Sequence, residues 1–195
     1  MTARPLPPPR PAGPVSLEEV VARRRTHRTF GPAPLPEEAI GQLLWATQGV
    51  TSEGGLRAAP SAMEAYPLEL YVATAEGVDA YEPDGHALRA LRAGDLRPAL
   101  RAAAHDQESV TSAPAVFIVT AVYDRMRAKL GPGAEPYVHM DLGHAAQNLL
   151  LQATALGLVG VPIAWLDPDE TRRVLDLPGE ETPLYLVPVG EPAAD

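Results

Sequence analysis

The chain contains no cysteine. That absence excludes disulfides, a thiolate nucleophile, Cys-ligated zinc and iron–sulfur clusters together, and it fits a cytoplasmic setting. Basic charge is scarce as well: 16 Lys and Arg stand against 25 Asp and Glu, for a net charge of −9 and a pI near 5.0. A general nucleic-acid binder needs a basic face to displace counterions from phosphates, so that class is excluded and any anion site has to be local. Lysine is almost missing, with Lys129 the only one. No G-x-G-x-x-G fingerprint is present, so there is no dinucleotide fold of the usual kind. His139 and His144 are five residues apart and do not share a helical face, and no metal site is expected.

What is present is proline at the start, an apolar interior and one cationic knot. MTARPLPPPRPAGP holds six prolines and no apolar run. It is neither a signal peptide nor a membrane span, and residues 1–15 are expected to form a disordered, extended arm. The remainder, 16–195, has the length and the apolar content (46% of the whole chain) of a single domain with a real core.

Ser16-Leu-Glu-Glu19 reads as a capping box, with Ser16 accepting from the third amide and Glu19 reaching back, and predicts a helix over 17–27. A second helix starts at Pro36, buries Ile40, Leu43, Leu44 and Thr47, and ends at Gly49. Leu68–Thr74 alternates as a strand. Gly77–Tyr81 and His86–Leu88 read as short strands around Pro83-Asp84-Gly85, the second being alternatively a helix start. Residues 95–107 have a helical pattern. Ala115–Val122, an almost unbroken apolar run, predicts a central strand buried on both faces. His139–Leu156 is a helix apolar nearly all round, closed by Gly157, which needs cover on every side, part of it from a second subunit. Val159–Trp165 and Leu184–Val189 predict two more strands, with a short helix at 169–175 between them. Helices and strands interleave without regular βαβ alternation, so the class is α+β.

The knot is Arg23–Phe30, RRRTHRTF. Basic residues favour the negative end of a helix dipole, which is one account of it. The other is geometric: if the helix continues, Arg24 and Arg28 lie one turn apart on one face, with Arg25 and Thr26 beside them, and can grip a phosphate. Ala59-Pro-Ser-Ala62 is a small-residue turn between a glycine-rich loop and a strand. In Gly160-Val-Pro-Ile-Ala164 a proline interrupts a strand's ladder, so that segment passes something other than another strand.

In order, RRRTHRTF, LLWATQGV, APSAMEAYPLELYV, HMDLGHAAQNLLLQATALGLVGVPIAWLD and PLYLVPVGEP resemble the flavin-dependent nitroreductase-like family over residues 16–192. The APSA…YPLE and DLGHAAQN wording is most similar to the branch with the SagB-type dehydrogenases of thiazole and oxazole peptides. The resemblance implies a nitroreductase-like α+β fold, a mainly antiparallel sheet between helices, in a homodimer with FMN at the subunit interface. It implies that Arg24, Arg25, Thr26 and Arg28 take the ribityl phosphate and pyrimidine side, and that Pro60, Ser61, Ala62 and Met63 reach the flavin from the other subunit. Pro162, Ile163 and Ala164 would line the opposite side of the ring, and Gln107 would supply an amide to the pyrimidine edge. The implied activity is an FMN-dependent oxidoreductase with ping-pong hydride transfer through flavin N5, acting on a small-molecule or peptide-derived substrate, with NADH or NADPH as a transient donor.

The chain departs from the family wording at three places. Glu191 stands where many members have Arg or Lys, Met63 where the branch usually has glycine, and Arg127-Ala-Lys129-Leu130 retains the lysine of a Lys-Tyr pair without the tyrosine. Lys129 is a candidate general base, because a desolvated lysine can lose its proton and arginine cannot; it reads equally as a solvated loop residue before Gly131-Pro-Gly133. The Met63 and Glu191 departures also fit a non-catalytic flavin-binding module.

Overall fold

A computed structural model describes residues 3–193. Seven strands form one sheet: β1 (Arg4–Pro5), β2 (Leu68–Ala73), β3 (Gly77–Glu82), β4 (Ala87–Ala93), β5 (Ala115–Val122), β6 (Val159–Gly160) and β7 (Glu181–Gly190). Their order is β1-β4-β3-β2-β5-β7-β6, and every neighbouring pair is antiparallel. The helices are α1 (Leu17–Arg23), α2 (Glu37–Gln48), α3 (Arg97–Ala103), α4 (Ser109–Ser112), α5 (Tyr123–Leu130), α6 (Glu135–Ala155) and α7 (Pro168–Leu175).

β5 is the centre, as its composition requires. It pairs along its length with β2 on one side and β7 on the other, and Ala115–Ala121 are buried throughout. Successive side chains point to opposite faces. Phe117 and Val119 join Leu68, Leu70 and Val72 under α2 and α6, packing on Leu43, Leu44, Leu142 and Leu149. Val116 and Ile118 join Tyr71 and Leu186 on the other face, against Leu100, Val110, Ile163 and Leu175. Two separate apolar cores therefore flank one sheet.

Several expected boundaries shift for visible reasons. Ser16 does cap α1, its Oγ accepting from the Glu19 amide at 3.2 Å, but the Glu19 carboxylate pairs with Arg23 instead of reaching back. The helix ends at Arg23 rather than at 27, because Thr26 leaves it to form a parallel bridge with Gly160. The 95–107 helix is split by His105 and Asp106, both left-handed (φ 51° and 59°). The 159–165 strand is two residues plus a bridge from Ile163 to Leu186, since Pro162 has no N–H for the ladder. α6 starts earlier than expected, at Glu135, and α5 was not anticipated.

The proline-rich arm is the clearest correction. Residues 3–15 are docked rather than disordered. β1 pairs with Ala87 and Leu88, Leu6 is buried, and the Gln42 side chain both accepts from the Arg10 amide (2.8 Å) and donates to its carbonyl (3.1 Å). His86 completes the anchor: its Nε2 meets the Pro7 carbonyl at 3.0 Å, which requires N–H there, leaving Nδ1 to accept from the Tyr81 hydroxyl at 2.9 Å. An extended proline segment has little backbone entropy to lose, so a few such contacts suffice to hold it.

Burial lowers the pKa of His86 below 6.5, although the bond to Pro7 opposes this. A histidine depressed in the folded state binds its proton more readily when unfolded, so its contribution is complete above the ordinary value and is lost as pH falls below it. His86→Ala should cost about 1–3 kcal/mol for two lost bonds and flatten this acid-side slope. Denaturant titrations of both proteins from about pH 5 to 8 measure it; parallel curves for the two would show that His86 does not anchor the arm.

Candidate functional site

The segment after α1 carries the arginine knot along the end of the sheet. Arg24 is the helix C-cap with extended backbone, the His27 amide donates to the Gly160 carbonyl at 3.2 Å, Gly31 donates to Glu191 at 2.9 Å, and Phe30 bridges Pro192. Arg24 and Arg28 are therefore not one helical turn apart. Both instead flank an extended strip beside Gly160. Missing side chains allow the close packing here: a Cβ on Gly160 would come within 3.0 Å of the Pro188 carbonyl oxygen on β7, and one on Gly190 within 2.7 Å of the Pro114 ring and 3.0 Å of Phe30 Cβ in the strip.

Electrostatics separate this strip from the rest of the surface. Arg4, Arg23, Arg89, Arg97, Arg101, Arg125, Arg127, Arg172 and Arg173 each face a carboxylate. Among the described residues, Arg10, Arg24, Arg25, Arg28, Arg57 and Arg92 have no such partner, and three of these six fall within five positions. Arg25 folds back onto the carbonyls of Ala22 (2.9 Å) and Arg24 (2.7 Å), while Arg57 bonds Gln48 and Arg92 the Val174 carbonyl; Arg24 and Arg28 keep open donors within one short segment, with Thr26 exposed between them. An acidic protein that holds unpaired cations side by side has built a place for an anion.

The Gly160–Ala164 segment adjoins the strip. Val161 donates to Pro188 (3.2 Å) and Ile163 exchanges two bonds with Leu186 (2.8 and 3.0 Å), so Val161 and Ile163 face the core while Pro162 is half-buried and Ala164 exposed. Beside Ala164 lies a cavity of about 320 Å³ lined by His139, Leu142, Leu166, Leu184 and Tyr185. Gln107 is half-buried just after the left-handed pair His105–Asp106. The His105 ring stacks on Trp165 at 4.5 Å, and Asp167 donates to Ala103 at 2.8 Å, which brings the Gln107 loop against the end of the 160–165 segment. Trp165 is 66% exposed. It was not singled out from the sequence, although a tryptophan directly after Pro-Ile-Ala was a visible signal.

Pro60–Met63 lies elsewhere. Ala59 and Ala62 belong to the α2 and α6 core, whereas Ile163 and Phe30 belong to the opposite one. The loop is held on α6, where Asn148 Nδ2 donates to the Ala58 carbonyl at 3.3 Å, and Asp141 adjoins Ser61 and Ala62. The structure thus sets Arg24, Arg25, Thr26 and Arg28 at the Gly160 end of the segment that carries Pro162, Ile163 and Ala164, the Gln107 loop at its other end by Trp165, and Pro60, Ser61, Ala62 and Met63 elsewhere. Lys129 is in neither group: it is exposed near the end of α5, and the neighbouring arginines pair with carboxylates, Arg125 with Glu69 and Arg127 with Asp124 and Glu135.

Comparison with known proteins gives one consistent result. A profile described as the Nitroreductase family matches residues 21–191. A Methanocaldococcus jannaschii protein named as a nitroreductase, MJ1384, is 37% identical over 182 residues, covering 90% of this chain and 91% of its own. A Ralstonia eutropha crystal structure described in the same terms superposes with a TM-score of 0.88 at 29% identity, over 100% of this chain and 96% of that one. A Desulfovibrio desulfuricans structure in complex with FMN shares the fold at 20% identity, with a TM-score of 0.68 and coverage of 91% and 87%.

Met63 has φ 54° and is 63% exposed, so a long side chain holds a left-handed conformation with little packing to support it. Relief of about 1–2 kcal/mol on going to glycine is partly offset by about 0.5–1 kcal/mol of unfolded-chain entropy. Met63→Gly should leave the melting temperature unchanged or raise it slightly, and Met63→Val should lower it. A clear loss of stability on Met63→Gly would show that the thioether packs.

Proposed function

The chain belongs to the nitroreductase family, and from that premise we propose that it is an FMN-dependent oxidoreductase of the cytoplasm, working as a homodimer with FMN at the subunit interface. The observation that carries this reading is the pair of unpaired guanidinium groups, Arg24 and Arg28, beside the close-packed Gly160–Ala164 backbone. FMN joins a dianionic phosphate to a flat apolar ring and asks for that combination of charge and small backbone. Arg24, Arg25, Thr26 and Arg28 would hold the phosphate and pyrimidine side, Gln107 the pyrimidine edge, and Pro162, Ile163 and Ala164 one side of the ring.

Pro60–Met63 cannot join that set within one chain if it has to reach the ring from the other side, since the two groups pack on opposite cores. A second copy supplies it. Exposed Leu17, Val21, Leu56, Met63, Tyr137 and Met140 offer apolar surface for such a partner. When bound, FMN supplies the redox chemistry, a hydride taken and given at N5 in two half-reactions with NADH or NADPH as the transient donor. The protein's part is to bind, orient and exclude water. The SagB-type wording at Ala59–Ala62 and Asp141–Asn148 supports a small-molecule or peptide-derived substrate.

Two observations favour a second reading, a flavin-binding module without turnover: Glu191 places a carboxylate next to the arginine strip, and Met63 projects where glycine would leave space. Anaerobic mixing with NADH and NADPH separates the two, since rapid bleaching of flavin absorbance belongs to the oxidoreductase alone. Arg24→Ala with Arg28→Ala should weaken FMN binding by several kcal/mol, at about 1.5–3 for each charged hydrogen bond. A double variant that purifies with full flavin would remove the phosphate assignment.

Lys129 is proposed as the base only for a substrate that must lose a proton. Lys129→Ala should then leave flavin content and reduction by the nicotinamide intact and slow that oxidation by about 10²–10⁴-fold. Lys129→Arg should fail to restore it; full restoration by arginine would reduce the residue to a positive charge.

A further inference from the structure

Asp141 is the buried carboxylate that the site does not yet account for. It is 3% exposed on α6, and its Oδ2 is a buried acceptor without a hydrogen-bond partner. The Ser61 hydroxyl and the Ala62 amide lie beside it, on the loop that the proposed function sends to the partner's flavin. Ser61 Oγ already accepts from the Tyr66 amide at 2.9 Å, so its proton is free to be donated. Between these contacts the chain runs through left-handed Met63, Glu64 and Tyr66 (φ 54°, 53° and 42°), none of them glycine. Such a run persists only where surrounding bonds over-determine it.

We propose that Asp141 is a positioning residue: its ionised carboxylate gathers the Ser61 hydroxyl and the Ala62 amide and thereby clamps the strained 61–66 loop onto α6 in the shape presented to the cofactor. The functional consequence rests on the flavin-site reading above; the clamp itself is a property of this chain alone. A neutral acid would accept with one oxygen and offer a proton on the other, so it could not receive both donors equally well. The bond from the Tyr66 amide to Ser61 Oγ is in place at 2.9 Å; the clamp adds to it donation from the Ser61 hydroxyl and the Ala62 amide to Asp141.

The clamp carries a stability cost that a packing residue would not. Burial raises the pKa of Asp141 above 3.8, outweighing the opposing effects of Ser61, the Ala62 amide and His144. His144, on the next turn of α6, is the titratable neighbour acting on it, and the loop contributes the Ser61 hydroxyl and the Ala62 amide. An acid whose folded pKa is raised stabilises the fold below its unfolded value and loses that contribution as pH rises through the folded one. Ionisation therefore costs global stability while fixing the loop.

The test uses the flavin-free full-length protein, hydrogen exchange at residues 60–66, and FMN titration of the same samples. Asp141→Asn and Ser61→Ala should each speed exchange of the Ala62 and Tyr66 amides by about tenfold or more, the weight of one charge-assisted bond. The double variant should add little to either single change. Wild-type loop protection should fall on acidification with a midpoint above 3.8 that is lost in Asp141→Asn and survives His144→Gln. The melting temperature of wild type relative to Asp141→Asn should fall as pH rises through the same range. Unchanged exchange in both single variants, or a loop and a global stability that decline together in Asp141→Asn at neutral pH, would overturn the clamp. If exchange quickens and FMN affinity does not change, the clamp stands and the assignment of this loop to the flavin is what fails.

Discussion

The burial of β5 on both faces is the constraint from which the rest of the structure follows. A strand with Phe117 and Val119 on one side and Val116 and Ile118 on the other has to be covered twice, and the chain divides its helices accordingly. α2 and α6 take one face, and α3, α7 and the 161–166 segment take the other. Once that division exists, segments adjacent in function need not be adjacent in the monomer. The loop at Pro60–Met63 goes with α6, and the arginine strip goes with Gly160 and the C-terminal end of the sheet.

Charge is organised by the same economy. With 25 acidic residues against 16 basic ones, an unassigned arginine is a scarce thing, and most of them lie against carboxylates. Exposed pairs of that kind contribute little to stability. Their effect here is to thin out competing cationic sites, which leaves Arg24 and Arg28 as two uncompensated cations within one short segment. Glu191 works against this from beside the strip, where its carbonyl accepts from Gly31 and its side chain adds negative charge nearby.

Legibility in the sequence followed the range of the interaction that decides each element. β5, α2 and α7 were readable because their apolar period or their caps are local: Gly49 ends α2, and Asp167 caps α7, its carboxylate held below the usual range by bonds from the Glu170 and Asp169 amides. The end of α1 was not readable, since nothing within residues 17–28 announces that Thr26 will bridge Gly160. The docked arm was missed for the same reason; its partners, Gln42 and His86, are distant in sequence and ordinary in type. α5 had a signal that went unread, Met126 buried among charged neighbours before a left-handed Gly131. For the site, the helical geometry offered for Arg24 and Arg28 does not hold, because the helix stops at Arg23 and Thr26 joins Gly160 through a parallel bridge that nothing local announces.

The two places where local rules are broken most openly, the left-handed Met63, Glu64 and Tyr66 and the buried Asp141, meet through Ser61 and Ala62. Either alone would be a defect. A carboxylate withdrawn from water needs donors, and a backbone turned left-handed without glycine needs bonds that forbid its relaxation. Each supplies what the other lacks, so the pair persists where neither would by itself. A loop fixed in this way is rigid without being well packed, and it can stay exposed on the protein's surface in one shape. The same arrangement explains why Met63 can project into solvent at all: its conformation is set by Ser61, Ala62 and Asp141 rather than by any contact of its own side chain.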